Sequence, residues 1–580
     1  MTDDYYYDFT YDAVNNITGV VVNNNSVHYQ YTYDLANRMT DSTHRIRYDQ
    51  YPDYELHYSI DNLNNITLER LTIRDDPEDR PKSESYETLY SYDMSNKLSA
   101  IKLPFENEDH EFKYFYDYAE DGNLFHVLYP AYDTWYALNR YIHYDRDGRC
   151  IGISDNGFGT GPDANSFYEY NANGNVIKPV SWAGTDTYGY DSQDRLTSWN
   201  FDAKSGSDIS ETYNYDLAGN LTNKAGTTYT VDKANQIIND GSHNFVYNAN
   251  GNLTSDGQYT YSYDRKNRLQ AVSVGGQYPI CIDYDYRGFR TSKSRVNNFS
   301  TKYICDDHGN IIYQFRNVLG NEDGIESFFY YSPEGKIIGM TINGTTYATH
   351  ENLRGDIISL TDVMTGDIVA KYEYDSWGNV IRHEGDVDSP FRYAGYYYDE
   401  EMGLYYCKSR YYSPRLGRFL TKDSVDYIDI RYPEAINCYT YADNNPINYV
   451  DPTGHFVFVI GAVAVAPEAA AAVAALGTAA VCGTIGLGKE LWDRFWAEDD
   501  SISIPDMPKT PGDVPPGKEW EWRGKGKPGS KEGNWYNKKT GESLHPDLGH
   551  PLPEGPHWDY REPNGGPWWR LFPDGRKLNK

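Results

Sequence analysis

The chain has 580 residues, 39% of them hydrophobic, and 58 are tyrosine, so the length allows several domains or one long repeat array. Its formal charge of −32 argues against the body binding nucleic acid or an anionic membrane. Six scattered cysteines without CxxC or Cys/His spacing suggest neither a disulfide framework nor a zinc site.

The acidic opening Met1-Thr-Asp-Asp-Tyr5 carries no signal-peptide pattern. It runs straight into repeat-like sequence, which reads as a truncation ahead of a missing targeting domain. Over residues 1–390 a unit of the form Tyr-x-Tyr-Asp-x-x-Gly/Asn-Asn/Arg-Leu recurs. Clear copies include Tyr31-Thr-Tyr33-Asp34, Tyr90-Ser-Tyr92-Asp93, Tyr213-Asn-Tyr215-Asp216 and Tyr372-Glu-Tyr374-Asp375. Degenerate copies centre on Asp232 and Asn248, and the steps 216, 232, 248, 264 are each 16 residues. Alternation around the tyrosines predicts strands. The Asp bonding back onto nearby backbone, with Gly or Asn taking positive φ, predicts the turns. Each unit is then a β-hairpin, and stacked hairpins bury a continuous face that one hairpin lacks. Buried tyrosine hydroxyls need partners in such an array.

Residues 391–454 read as a junction, closing on Asp451-Pro452-Thr453-Gly454. Residues 455–500 begin with an apolar stretch interrupted only by Glu468, long enough for a membrane span or for two short helices around Pro467. A helical linker buried in the body and a helix pair that enters a target membrane through 455–488 both fit. Residues 501–517 contain five prolines and form a linker.

Residues 518–580 hold six of the twelve tryptophans, frequent turn signals and a terminal hairpin pattern, which predicts a small β-rich or α+β domain built on large side chains. From Pro505 to Lys580 there are 13 Lys+Arg and 11 Asp+Glu, so that stretch is +2 and the remainder −34. An acidic wrapper around a polyanion-binding cargo fits this split, and so does acid that merely keeps a β surface soluble. His545, Asp547, His550, His557 and Asp559 crowd together, with Arg570 nearby. Histidines that shuttle protons, with an arginine for the phosphate, are what metal-free RNA cleavage requires. Arg523, Lys525, Lys527, Lys531, Tyr560 and Arg561 are the candidate substrate-binding residues. No dedicated metal ligands are assigned and no cofactor is expected, although a divalent metal on the His/Asp cluster fits a DNase. Loop histidines that cap turns beside prolines are the structural alternative.

The repeats resemble the YD repeats of the RHS (rearrangement hotspot) family. Tyr347–Asp362 is similar to the family's segment upstream of its core. Residues 391–454 match the RHS-associated core through Arg392-Tyr-Ala-Gly395-Tyr, Asp399-Glu-Glu-Met-Gly403-Leu-Tyr405 and Arg410-Tyr-Tyr-Ser-Pro414-Arg-Leu-Gly417-Arg418-Phe419. The resemblance implies a mainly β protein: a β-cocoon of long curling antiparallel sheet that encloses the C-terminal polypeptide. It also implies a possible aspartyl autoprotease in the core, for which Arg418, Asp423 and Asp451 are the candidates, acting on a bond within Gly454–Phe456. Two departures set this chain apart: Asn445-Pro446 replaces the first Asp-Pro, and His455 stands where the family has Leu. A purely structural plug is the alternative.

The tail resembles polymorphic toxin type 37 through Lys525-Gly-Lys527-Pro, Glu542-Ser-Leu-His545-Pro-Asp547-Leu-Gly-His550 and Gly555-Pro-His557-Trp-Asp559-Tyr560. That resemblance implies a nuclease, an RNase first, used in interbacterial competition. Its expected partners are RNA or DNA, a cognate immunity protein, a secretion machinery or adaptor, and a target membrane. The expected localisation is secreted or cell-surface, with delivery into a target cytoplasm. The alternatives are a metal-dependent DNase toxin and a non-enzymatic wall-associated YD-repeat protein.

Overall fold

The computed structural model describes residues 7–22, 27–46, 53–75, 82–107, 110–130, 138–156, 165–423, 437–455, 457–459, 520–524, 533–537, 543–547, 557–561, 568–571 and 577–579. The chain divides into two compact units, Met1–Gly483 and Thr484–Lys580. The expected helical segment within 455–500 (beyond 459) and the proline linker at 501–517 lie outside the described residues. Every strand pairing within 7–385 is antiparallel and joins strands consecutive in sequence, in two large sheets of 19 and 14 strands with a two-stranded piece between them.

The hairpins form for the reason the repeat predicts. In the turn at Asp34, the Asp34 amide donates to Arg38 O at 2.9 Å and the Asn37 amide to Asp34 O at 3.0 Å. One carboxylate oxygen of Asp34 then accepts from the amides of Ala36 and Arg38 at 2.8 and 3.0 Å. Asn37 sits at φ 61°, and the pairing register shifts between Thr32 and Tyr33. This is a turn closed by a bulge with one left-handed residue, the geometry that Asn or Gly accepts. Asp232 makes the same turn, with Asn235 at φ 61°.

The tyrosine just before a repeat turn has a recurrent partner. Its hydroxyl donates to the carbonyl five residues beyond the start of the preceding turn: Tyr33 to Ile17 O at 2.8 Å, Tyr92 to Ile66 O at 3.0 Å, Tyr215 to Leu196 O at 2.6 Å and Tyr374 to Ile357 O at 2.7 Å. A buried polar tip is thereby satisfied while its ring packs, so one residue type serves both core and inter-hairpin lacing.

The array turns back on itself. Tyr286 OH meets Tyr31 OH at 2.7 Å, Tyr114 OH donates to Ile338 O at 2.5 Å, and Arg140 donates to Glu351 O at 3.0 Å. Early and late strands therefore form facing walls. Two other places set acids near acids. Burial, reinforced by Asp306, lifts the Glu69 carboxyl to about 8. Burial lifts Asp186 to about 7 although Trp199 donates to it at 2.6 Å, and burial with the facing Asp186 lifts Glu373 to about 8. All three bind a proton more tightly folded than unfolded, so their contribution is complete below the ordinary carboxyl range and is lost as pH rises through about 7 to 8. Thermal melts are expected to show a lower transition at pH 9 than at pH 6. Glu373→Gln, neutral at both, reduces that difference; an undiminished difference contradicts this account.

The described residues of the core block, 391–423 and 437–455, pack against the repeat strands. Tyr393, Tyr405, Tyr412 and Tyr441 are fully buried there. Tyr405 OH donates to Gly378 O at 2.7 Å, Tyr439 OH to Gly251 O at 2.5 Å, and Asn448 Oδ1 accepts from the Val176 amide at 2.8 Å. The strongest tie is ionic. Fully buried Asp399 accepts from Arg290 and Lys293, each at 2.6 Å, and the guanidinium of Arg290 lies 4.2–4.6 Å from the rings of Tyr303, Tyr397 and Tyr406. Removing one partner strands buried charge, so Asp399→Asn is expected to destabilise the first unit by about 3–5 kcal/mol, read by chemical denaturation.

Candidate functional site

Among the described residues, two places bring chemistry-bearing residues together. The first is in the core block. The strands Leu404–Cys407 and Arg410–Ser413 form a hairpin, and Arg410, just after its turn, reaches three separate loops. Its Nη2 lies 2.9 Å from Asp423 and 3.4 Å from Asp451, its Nη1 donates to Cys438 O at 3.0 Å, and its Nε donates to Gly454 O. The guanidinium stacks 3.6 Å from the Phe419 ring centroid.

The Asp451–Gly454 turn is fixed from both sides. The Asp451 amide donates to Tyr396 OH at 2.8 Å, the His455 amide donates to Asp451 Oδ1 at 2.9 Å, and Ser409 Oγ donates to Thr453 O at 2.6 Å. Gly454 has φ 77°, and a Cβ there would stand 2.4 Å from Ser409 Oγ and 2.7 Å from Cys407 O. Only glycine fits. His455 Nδ1 lies 2.6 Å from Asp423 Oδ1. Asp423 and Asp451 thus flank one arginine beside the Gly454 carbonyl.

Arg418 is elsewhere. Its Nη2 is 3.4 Å from Asn220 Oδ1 and 3.5 Å from Asn437 Oδ1, with the guanidinium over Tyr439. Sequence reasoning selected Arg418 and passed over Arg410, although both stand in the same core motif. Among the described residues no group of three or more His, Cys, Asp or Glu has metal-binding geometry.

The second place is the tail, where Trp520–Gly524, Gly533–Asn537, Ser543–Asp547, His557–Arg561, Trp568–Leu571 and Lys577–Asn579 form one antiparallel sheet in chain order. Its register has no bulge. His545 stands opposite Asp559, which stands opposite Arg570; Asp547 stands opposite His557. Because neighbours across strands share a face and alternate residues return to it, His545, Asp547, His557, Asp559 and Arg570 occupy one face. Arg561 and Arg523 share that face. Tyr560 pairs with Leu544 and Trp569 and belongs to the other. That other face carries Trp520, Trp522, Trp535, Trp558 and Trp569. His550, Lys525, Lys527 and Lys531 lie outside the described residues.

Residues 181–447 match the family described as Teneurin YD-shell. The tRNA3(Ser)-specific nuclease WapA of Bacillus spizizenii is 39% identical over 181 residues, 30% of this chain and 8% of that protein. Double-stranded DNA deaminase toxin A of Burkholderia cenocepacia is 35% identical over 94 residues, 15% of this chain and 6% of that protein. The chain therefore spans under a tenth of the length of these relatives. The crystal structure of TcdB2-TccC3-Cdc42 superposes on 79% of this chain and 28% of its own, with TM-score 0.54 and 16% identity, a likeness of fold. With its Tyr-Asp hairpins laid edge to edge against a buried tyrosine-rich core, this chain carries a YD-repeat shell region over residues 181–447.

Proposed function

We propose that this chain is an RHS-type polymorphic toxin whose shell holds a C-terminal nuclease, and that the nuclease is a metal-independent RNase. The observation that carries this reading is the crossed pairing His545–Asp559 and Asp547–His557, with Arg570 beside Asp559 in the next strand. One imidazole takes the proton of a ribose 2′-hydroxyl as that oxygen attacks phosphorus. The other gives a proton to the departing 5′-oxygen, and Arg570 offsets the charge that builds on the phosphoryl oxygens. The tRNA nuclease names of the WapA relatives support the class.

The core would free the tail. One carboxylate of Asp423 and Asp451 takes a proton from water as the oxygen adds to a peptide carbonyl in the Gly454–Phe456 segment; the other protonates the leaving amine as the C–N bond breaks. Arg410, donating to Gly454 O, stabilises oxyanion charge there. A cognate immunity protein protects the producer, and a secretion machinery or adaptor delivers the toxin across a target membrane with residues 455–488 as the candidate membrane-active segment.

The test is expression of residues 484–580 in a bacterial cytoplasm, with tRNA, rRNA and DNA examined together. Growth arrest with cut RNA supports the reading. DNA damage with intact RNA favours a metal-dependent DNase, and harmless accumulation of folded tail removes both.

A further inference from the structure

The histidine face of the tail has a second row. Tyr536 stands opposite Ser543, Ser543 opposite Arg561, and Arg561 opposite Trp568. This row crosses four strands on the face that holds His545, Asp559 and Arg570, one alternation step away. Steps along a strand place the two rows about 7 Å apart. The residue types break the pattern of the domain. Five of the six tryptophans in 518–580 lie on the opposite face, and Trp568 alone shares the face of the histidines. The register thus places a tryptophan and a tyrosine, with an arginine between them, on a face otherwise made of Arg, Asp, Glu, His, Asn and Ser with Leu578 at its edge.

Aromatic rings and arginine planes are what unpaired nucleobases stack on, and stacking is open to any base because every base has a π-face. A duplex offers no such surface, because its bases are already stacked on one another. We infer that the Tyr536–Ser543–Arg561–Trp568 row is a nucleobase-binding platform that restricts the tail to single-stranded RNA, seating a base on this row while its phosphodiester lies on the His545–Asp559–Arg570 row. This rests on the nuclease reading for its catalytic row, but not for its binding row.

The test uses residues 484–580, a compact unit by themselves, as wild type, Trp568→Ala, Trp568→Phe and Tyr536→Ala. A single-stranded deoxyoligonucleotide, which lacks the 2′-hydroxyl nucleophile, reads binding alone; a single-stranded RNA and the same RNA in duplex read cleavage. Trp568→Ala and Tyr536→Ala are each expected to weaken deoxyoligonucleotide binding and raise KM by about five- to a hundredfold with kcat unchanged. Trp568→Phe restores both, and duplex RNA resists cleavage. Unchanged binding and KM in the alanine variants, or duplex cut as fast as single strand, overturns the platform and leaves the nuclease standing. Wild type that binds the deoxyoligonucleotide in a Trp568-dependent way but cuts no RNA overturns the nuclease and keeps the platform. Wild type that does neither overturns both.

Discussion

His557→Ala is expected to lower RNA cleavage by the tail about a hundred- to ten-thousandfold and to relieve the toxicity proposed for residues 484–580 in a cytoplasm. The expectation follows from register. His557 stands opposite Asp547, while His545 stands opposite Asp559 two positions along. Each histidine position thus stands opposite a carboxylate position on the neighbouring strand, and a pair of imidazoles can supply a base and an acid in one turnover. His545→Ala is expected to lose as much. Asp547→Asn loses less, since it removes an orienting charge and leaves the proton carrier. Tyr560→Phe, on the opposite face, retains activity. Gel assays of RNA fragments measure all four. Equal activity in His557→Ala removes this assignment, and a loss in Tyr560→Phe of the same size would locate the site on the wrong face.

Asp451→Asn is expected to leave the full chain as a single band on denaturing electrophoresis where the wild type is expected to give two. The amide keeps the shape of the turn, in which Asp451 Oδ1 accepts from the His455 amide at 2.9 Å, but supplies neither a base nor a proton. Asp423→Asn is expected to behave alike, because both carboxylates approach the same Arg410. Arg410→Gln slows cleavage by withdrawing the donor from Gly454 O. Arg418→Gln, which removes contacts to Asn220 and Asn437, leaves it intact. A wild-type chain that stays whole makes the core a plug and no more.

The body was legible because its signals are local. A turn needs Asp, two spacers, Asn or Gly, and all stand within five residues, so even the degenerate copy at Asp232 could be placed. The tyrosine hydroxyl bonds were expected only in kind. Their recurrent partner, the carbonyl five residues past the previous turn, depends on the pitch between strands. The core cluster was half legible: Asp423 and Asp451 stand out by motif, while Arg410 joins them only because a hairpin returns beside two distant loops. Nothing in its local sequence separates it from Arg418. In the tail, alternation in Ser543-Leu-His545-Pro-Asp547 and His557-Trp-Asp559-Tyr-Arg561 already divides polar from apolar positions. It also sets Tyr560 apart from Asp559 and Arg561. Which strand lies beside which, and hence the crossed His/Asp pairs, required the sheet.

Incubating the purified 484–580 unit with total RNA and with plasmid DNA in the presence of EDTA bears most directly on the tail's chemistry. The account predicts fragmented RNA and supercoiled plasmid, with His557→Ala leaving both intact. RNA that survives while the plasmid is nicked once magnesium replaces EDTA would contradict it.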